Sequence, residues 1–161
     1  MKAGALMHDS KRRTYVAACA VALFLAAGLL GAAHADSRCY PNSRYVQLSD
    51  NLVRDTLTSL VWQQTFSPTK MAYAQALVYC PSGYRLPTVK ELQSIIDPTV
   101  ASGGVRIDPI AFPNTPYDDF WSSTPLAANP SNAWYVSFSG GNWNSGPTST
   151  SRYVRCIRWQ L

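Results

Sequence analysis

The first 35 residues place the strongest constraint on the rest of the chain, because they have the three parts of a secretory signal peptide. Residues 11–13 read Lys-Arg-Arg, residues 15–33 are apolar, and residues 33–35 read Ala-His-Ala, a small-x-small cleavage site. We therefore predict a signal peptide over 1–35 and an exported protein (periplasmic, secreted or at the cell surface) that begins at Asp36. A membrane anchor is the alternative, since the apolar stretch is nearly long enough to span a bilayer, but Ala and Gly dilute it. The arginine pair leaves open whether export uses the general or the twin-arginine route.

The residues after position 35 exclude several kinds of chemistry. They contain no histidine and a single glutamate, Glu91. Ser-His-Asp catalysis, Cys-His catalysis and histidine-bound zinc are therefore excluded, and we expect neither an enzyme nor a cofactor. Ten Lys and Arg residues stand against eight Asp and Glu residues in this part, so most of the formal charge of +5 belongs to the signal peptide. Nucleic-acid binding is not expected from so even a balance.

Three cysteines follow the signal peptide, and an oxidising compartment makes them disulfide candidates. Three pairings can form among Cys39, Cys80 and Cys156, and each leaves one thiol over. Cys39 lies in a short N-terminal segment, residues 36–44, whereas Cys80 ends a helical pattern and Cys156 lies in a strand pattern. We expect a core to hold the last two together. Cys39 is then a free thiol or links two copies of the chain into a homodimer.

The order of the hydrophobic patterns predicts one α+β domain over residues 45–161, with the helices separate from an antiparallel sheet. Ser67-Pro68 is a typical helix start, and the apolar stripe that follows ends near Tyr79. Thr88 and Glu91 have the spacing of a capping box, which begins a second helix. Strands are expected at 44–50, 60–64, 120–124, 133–139 and 152–159, and a long irregular loop at 99–116.

The tryptophans divide into core residues and one candidate binding residue. Trp62, Trp121 and Trp134 lie in strand patterns and are expected in the core. Trp143 lies in a polar, glycine-rich segment, 139–147, which we interpret as a loop. A rigid aromatic ring beside adaptable amides suits the recognition of a sugar or a protein. The predicted ligand-binding residues are therefore Asn142, Trp143, Asn144 and Arg152; the alternative for Trp143 is that it folds back onto the sheet.

Several short motifs occur in a fixed order along the chain. Together they resemble the bacterial DUF1566 family, also called the Lcl C-terminal domain after a collagen-like adhesin, over about residues 45–158. The most specific are Arg-Leu-Pro-Thr-x-x-Glu-Leu at 85–92, Trp-Ser-Ser at 121–123 and Val-Arg-Cys at 154–156. Weaker ones are Leu-Val-Trp-Gln at 60–63, Tyr-Ala-Gln-Ala-Leu at 73–77 and Ala-Trp at 133–134.

This resemblance implies a C-type lectin-like fold, in which two helices pack on a small twisted antiparallel sheet and the N- and C-terminal strands are adjacent. It also implies a disulfide between the end of the first helix and the last strand, here Cys80 and Cys156. Arg85 and Arg155 lie inside the family motifs, and we expect them to be structural, paired with carboxylates or carbonyl groups.

Sugar-binding C-type lectins hold sugar hydroxyls through calcium, which needs six to eight oxygen ligands and usually several carboxylates. The corresponding stretches here are Asn-Pro-Ser at 129–131 and Trp-Asn-Ser at 143–145, and neither contains an acid. The adjacent pair Asp118 and Asp119 is expected to cap a turn. We therefore predict no metal site.

The resemblance and the residues together predict a secreted, non-catalytic binding domain for a carbohydrate or a cell-surface protein, acting without calcium. One alternative is a protein-binding display scaffold, because the variable target proteins of diversity-generating retroelements use the same fold with an Asn-, Ser- and Gly-rich surface such as 129–151. Another is a structural envelope protein linked through Cys39. After removal of the signal peptide, no membrane span is expected.

Overall fold

The computed structural model describes residues 44–49 and 51–158, so the predicted signal peptide and Cys39 lie outside the described residues. Within those residues the chain forms an α+β arrangement, as predicted, with two helices and two antiparallel sheets. The strands are β1 (Tyr45–Ser49), β2 (Leu52–Asp55), β3 (Val61–Gln63), β4 (Tyr84–Arg85), β5 (Asp119–Pro125), β6 (Asn132–Ser137), β7 (Asn142–Pro147) and β8 (Ile157–Arg158). The helices are α1 (Tyr73–Tyr79) and α2 (Val89–Ser94).

The first sheet has the strand order β1-β2-β3-β8-β4. Its fourth strand, β8, pairs with β3 through Trp62 and Ile157 and with β4 through Arg85 and the same Ile157. The expectation that the N- and C-terminal strands are adjacent is wrong, because β1 lies at the sheet edge. The unpredicted strand β2 forms a hairpin with β1 and separates it from β3.

The second sheet has the order β5-β6-β7, so the expectation of a single sheet is also wrong. Its third strand comes from segment 139–147, which the sequence indicated to be a loop. Gly141 has φ of 67°, a conformation that glycine adopts without strain, and it lets the chain turn back after Ser137. From there β7 pairs with β6 in a continuous register from Asn142 opposite Ser137 to Pro147 opposite Asn132.

Both helices lie close to the second sheet, and their positions agree in part with the sequence. The capping box of α2 is confirmed: the Thr88 hydroxyl accepts from the Glu91 amide, and the Glu91 carboxylate accepts from the Thr88 amide. Helix α1 ends where predicted but begins at Tyr73, six residues after Ser67. The Ser67 amide and hydroxyl instead bond to Val154, and Met71 bridges to Arg152, so this stretch is extended.

Segment 152–158, the described part of the strand expected at 152–159, contacts both sheets. Tyr153 forms a parallel bridge with Phe120 of β5, whereas Ile157 and Arg158 form β8 in the first sheet. Between them Arg155 is fully buried and donates to the carbonyl groups of Gln63, Gln64 and Thr65 and to the Thr115 hydroxyl. Its expected structural role is thereby confirmed. Burial lowers the pKa of Arg155 to about 9, so the guanidinium is protonated at neutral pH.

The buried apolar side chains form two clusters. One contains Trp62 and Phe112 and is built from side chains of both sheets, α2 and the irregular segment 99–116. The other contains Trp121 and Cys156 and lies beside α1. Trp62 and Trp121 are fully buried, as predicted, but Trp134 is only partly buried. The disulfide between Cys80 and Cys156 is confirmed, with its Cα atoms 5.8 Å apart. It joins the end of α1 to segment 152–158.

Candidate binding surface

Strand β7 carries three of the four predicted ligand-binding residues, and its alternation separates them. Successive side chains of a strand point to opposite faces of the sheet. Asn142 and Asn144 therefore share one face, and Trp143 lies on the other. All three are exposed. The predicted trio does not form a single contact surface.

The face that carries the two amides is built from rows of directly paired residues. Asp119 lies opposite Ser137, which lies opposite Asn142. In the next row Tyr135 lies opposite Asn144. Residues directly opposite one another in an antiparallel pair have neighbouring side chains on one face. We call this surface the polar face; it consists of Asp119, Tyr135, Ser137, Asn142, Asn144 and Arg152.

Arg152 reaches the polar face from outside the sheet and packs over the rings of Tyr135 and the neighbouring Trp121. Its guanidinium carbon is 3.9 Å from the centre of the Tyr135 ring and 4.3 Å from that of Trp121, distances at which cation–π attraction is effective. Only 7% of Arg152 is exposed. The predicted ligand-binding residue Arg152 is thus mainly a packing residue that holds the Tyr135 ring in place.

Gly146 makes room for this arginine. A Cβ atom at Gly146 would lie 2.8 Å from Nη2 of Arg152 and 3.3 Å from Cε1 of Tyr135, closer than ordinary van der Waals contact. The Arg152 Nε atom lies 3.6 Å from the Asp119 carboxylate, too far for a good hydrogen bond. The guanidinium is therefore positioned by stacking and by charge rather than by directed hydrogen bonds.

The charges around the polar face balance one another. Lys70 forms an ion pair of 2.5 Å with Asp118, and this hydrogen bond raises the pKa of Lys70. The Asp118 carboxylate also accepts from the Asp119 amide at the start of β5. With Asp119 beside Arg152, each acid of the surface lies close to one cation.

On the opposite face of the second sheet, Trp143 is 55% exposed. It lies opposite Val136 in β6, whose side chain is fully buried. Gly141 in the preceding turn is covered by the Arg106 side chain, which would meet a Cβ atom there at 2.3 Å. Trp143 therefore lies at the edge of the face of the second sheet that packs into the core, and its side chain remains accessible to solvent.

The other acids described have structural partners. Burial raises the pKa of Glu91, but hydrogen bonds from Arg85 and Thr88 outweigh burial and the pKa is lowered overall. Burial also raises the pKa of Asp55, and its bonds to Arg44 and Thr58 reverse that effect. Within residues 44–49 and 51–158, no three Asp, Glu, His or Cys side chains come together in a way that could hold a metal ion.

Comparison with known families identifies the family of this chain. The family model of the Lcl C-terminal domain matches residues 51–158. This range includes both helices and every described strand except β1. The chain belongs to the Lcl C-terminal domain family. The resemblance drawn from the sequence motifs is thereby confirmed. No curated protein gave a significant match to the sequence. In the part of this Lcl C-terminal domain that the structure describes, no helix is long and apolar enough to cross a membrane.

The sequence reasoning missed Tyr135 and Asp119 as members of the surface. The signal for Tyr135 was present, because an alternating strand that buries Val136 must turn Tyr135 the other way. Its pairing with Asn144 could be found only by recognising that Ser-Gly-Gly-Asn at 139–142 is the turn of a hairpin. Asp119 carried no comparable signal, since it becomes part of the surface only through its pairing with Ser137.

Proposed function

We propose that this Lcl C-terminal domain is a non-catalytic binding domain that takes a carbohydrate ligand on the polar face, without calcium. The observation that carries the proposal is the juxtaposition of Asn142 and Asn144, both exposed, with the partly exposed Tyr135 ring. Amide groups both donate to and accept from hydroxyl groups. An aromatic ring offers an apolar surface to the C–H groups of a sugar. The three side chains lie on one face within one pair of strands.

Two residues of the polar face, Tyr135 and Ser137, are held in place by neighbouring side chains, which favours ligand binding there. Tyr135 is fixed by the Arg152 stack, and Ser137 is bonded through its hydroxyl to Ser139 at 2.7 Å. A surface that is already ordered loses little conformational entropy when it binds. We propose that the whole domain has a C-type lectin-like fold, in which the second sheet presents the ligand-binding surface.

The absence of a catalytic role is part of the proposal, and the acids support it. A general acid or base needs a group that can exchange protons with a substrate near the working pH. Glu91 is held by Arg85 at 2.6 Å and caps α2, and Asp55 is held by Arg44 at 2.7 Å. Both carboxylates are therefore engaged in holding the fold.

We further propose that the protein acts outside the cytoplasm. The signal-peptide pattern of residues 1–35 and the disulfide between Cys80 and Cys156 support this, because disulfides persist in oxidising compartments. Fractionation of cells that express the full 161-residue chain tests it. A product found only in the cytoplasm, with its leader intact, contradicts the proposal.

A glycan array tests the binding proposal. The protein, purified as the processed product of the full-length gene, is applied with and without a chelator, and we expect binding that the chelator does not change. For a bound glycan, Asn144→Ala should weaken the affinity about tenfold, the effect of one or two lost hydrogen bonds. Trp143→Ala is the matched variant on the opposite face and should leave the affinity within about twofold.

Each other outcome has a definite meaning. Loss of binding in Trp143→Ala but not in Asn144→Ala places the ligand on the opposite face of the sheet. Binding that the chelator abolishes contradicts the metal-free proposal. An array without signal, from protein whose cooperative thermal unfolding shows it to be folded, contradicts a carbohydrate ligand and favours a protein partner.

A further inference from the structure

The four edges of the two sheets differ in how well they are protected against pairing with another strand. The outer edge of β5 is covered, because Tyr153 exchanges main-chain hydrogen bonds with Asp119 and Trp121. At the ends of the first sheet, β4 has only two residues and β1 is interrupted by an irregular register after Gln47. Short strands and bulges of this kind normally prevent edge-to-edge pairing.

Strand β7 has none of these protections in the described part of the chain. It runs for six residues in unbroken register with β6, and none of the six carries a charge. Its outer edge has no partner strand within residues 44–49 and 51–158. A long, regular and uncharged edge is the form that accepts a further strand most readily.

The main-chain groups that face outward can be assigned from the pairing. The Thr148 amide donates to the Ser131 carbonyl, and hydrogen-bonded pairs alternate along an antiparallel ladder. Asn142, Asn144 and Gly146 therefore bond to β6, and Trp143 and Ser145 direct their amide and carbonyl groups away from the sheet. The Ser145 amide is bonded only to the side chain of its neighbour, at 2.8 Å from Oδ1 of Asn144. An incoming strand can replace this local bond.

We propose that β7 pairs with β7 of a second copy of this chain, in antiparallel orientation about a two-fold axis at Asn144. Trp143 and Ser145 lie at equal distances on either side of Asn144, so two copies present donors and acceptors with matching spacing. Trp143 then pairs with the partner's Ser145, and Ser145 pairs with the partner's Trp143. Each pair exchanges two main-chain hydrogen bonds, so the interface has four. Gly141, whose amide is already bonded to Ser137, and Pro147, which has no amide hydrogen, limit the pairing to β7.

The side chains favour a second copy over an unrelated strand. The uncharged strand places no like charges against one another across the axis. The Trp143 ring, 55% exposed in the single chain, lies beside the small side chain of the partner's Ser145. The dimer has one continuous sheet of six strands, in which both polar faces point to the same side. An interface of one strand from each copy is small, so we expect a dissociation constant on the order of 100 µM.

Sedimentation equilibrium of the processed product of the full-length gene tests the proposal, in a Cys39→Ser background that removes any thiol-linked dimer. Between about 1 µM and 1 mM, a range that brackets this constant, we expect a reversible monomer–dimer equilibrium. Ser145→Pro removes an outward amide from an edge strand, where proline is tolerated, and should weaken dimerisation at least tenfold. Trp143→Lys places a charge on each edge and should have the same effect.

Tyr117→Lys is the matched control, because Tyr117 is also 55% exposed but precedes β5, on the far side of β6. It should leave the equilibrium unchanged. A protein that stays monomeric at 1 mM overturns the proposal. A dimer that persists in Trp143→Lys, with thermal unfolding like that of the control, also overturns it, since the interface then lies elsewhere. Amide exchange at Trp143 and Ser145 that slows with protein concentration supports the assigned register.

Discussion

The strongest test of the fold is removal of the disulfide between Cys80 and Cys156 by substituting both with alanine. Cys156 is 1% exposed and belongs to the buried cluster beside α1, whereas Cys80 packs against that cluster from its edge. Replacing both residues removes the covalent link and leaves only two small gaps. The effect on stability therefore measures chiefly what the link does to the unfolded chain.

Its size follows from the length of chain that the disulfide closes. The two cysteines are 76 residues apart in sequence, and the loop-entropy relation then gives about 4.5 kcal/mol of stability at 25 °C. The described part of the domain has about 115 residues, for which the unfolding entropy is about 0.24 kcal/mol/K. The double variant should therefore melt about 15–20 °C lower than the wild type.

Urea unfolding followed by tryptophan fluorescence measures the change, since Trp62 and Trp121 are fully buried and become exposed on unfolding. The matched control is Cys39→Ser, which leaves the bond intact and should not alter the free energy of unfolding by more than about 0.5 kcal/mol. A loss below about 1 kcal/mol in the double variant refutes the entropic reasoning. A large loss in Cys39→Ser shows instead that Cys39 takes part in the bond.

Three further predictions concern single side chains. Glu91→Gln should cost about 1 kcal/mol of stability at pH 7, because it weakens the cap of α2. The folded-state pKa of Glu91 is lowered, so the wild type loses this stability as pH falls below the ordinary value of 4.5. Urea unfolding at pH 7 and pH 3 should therefore show the free energies of unfolding of the two proteins converging at the lower pH. Gly146→Ala should cost about 1–2 kcal/mol by displacing Arg152, and thermal unfolding in an Arg152→Ala background should show most of that cost removed. Arg155→Lys should cost about 2–4 kcal/mol, because a single ammonium cannot reach all the acceptors that the guanidinium holds; an unchanged melting temperature contradicts this role.

Local signals in the sequence predicted the parts of the fold that local chemistry decides. The α2 start followed from the capping-box spacing of Thr88 and Glu91, and the core positions of Trp62 and Trp121 followed from strand alternation. The start of α1 was wrong for a reason that no local window contains. Ser67 has the properties of a helix cap, but its hydroxyl accepts from Val154, which lies 87 residues further along the chain.

The candidate site was predictable in composition but not in arrangement. Residues 142–144 were identified by their chemistry, and the structure places all three, exposed, in the edge strand β7 of the second sheet. Their division between two faces depends on 139–147 forming a turn and a strand, which the glycines and asparagines alone did not reveal. Arg152 was predicted to bind ligand, but its packing over Tyr135 requires the space that Gly146 leaves, which the sequence pattern did not indicate.

Segment 152–158 has a consequence for the synthesis of the protein. Among the described residues it supplies the segment that covers the edge of β5, the C-terminal partner of β3 and the only strand paired with β4. Its contacts reach back across about 90 residues to Gln63. A ribosome that has completed residues 45–151 has made every other described strand. The first sheet then still lacks β8, and the outer edge of β5 in the second sheet is still uncovered. Contacts of such long range form late, so the domain completes its fold only after its final strand has been translated. A chain that stops before Arg152 gives two unfinished sheets, and their exposed edges and apolar surfaces favour aggregation over a smaller stable domain.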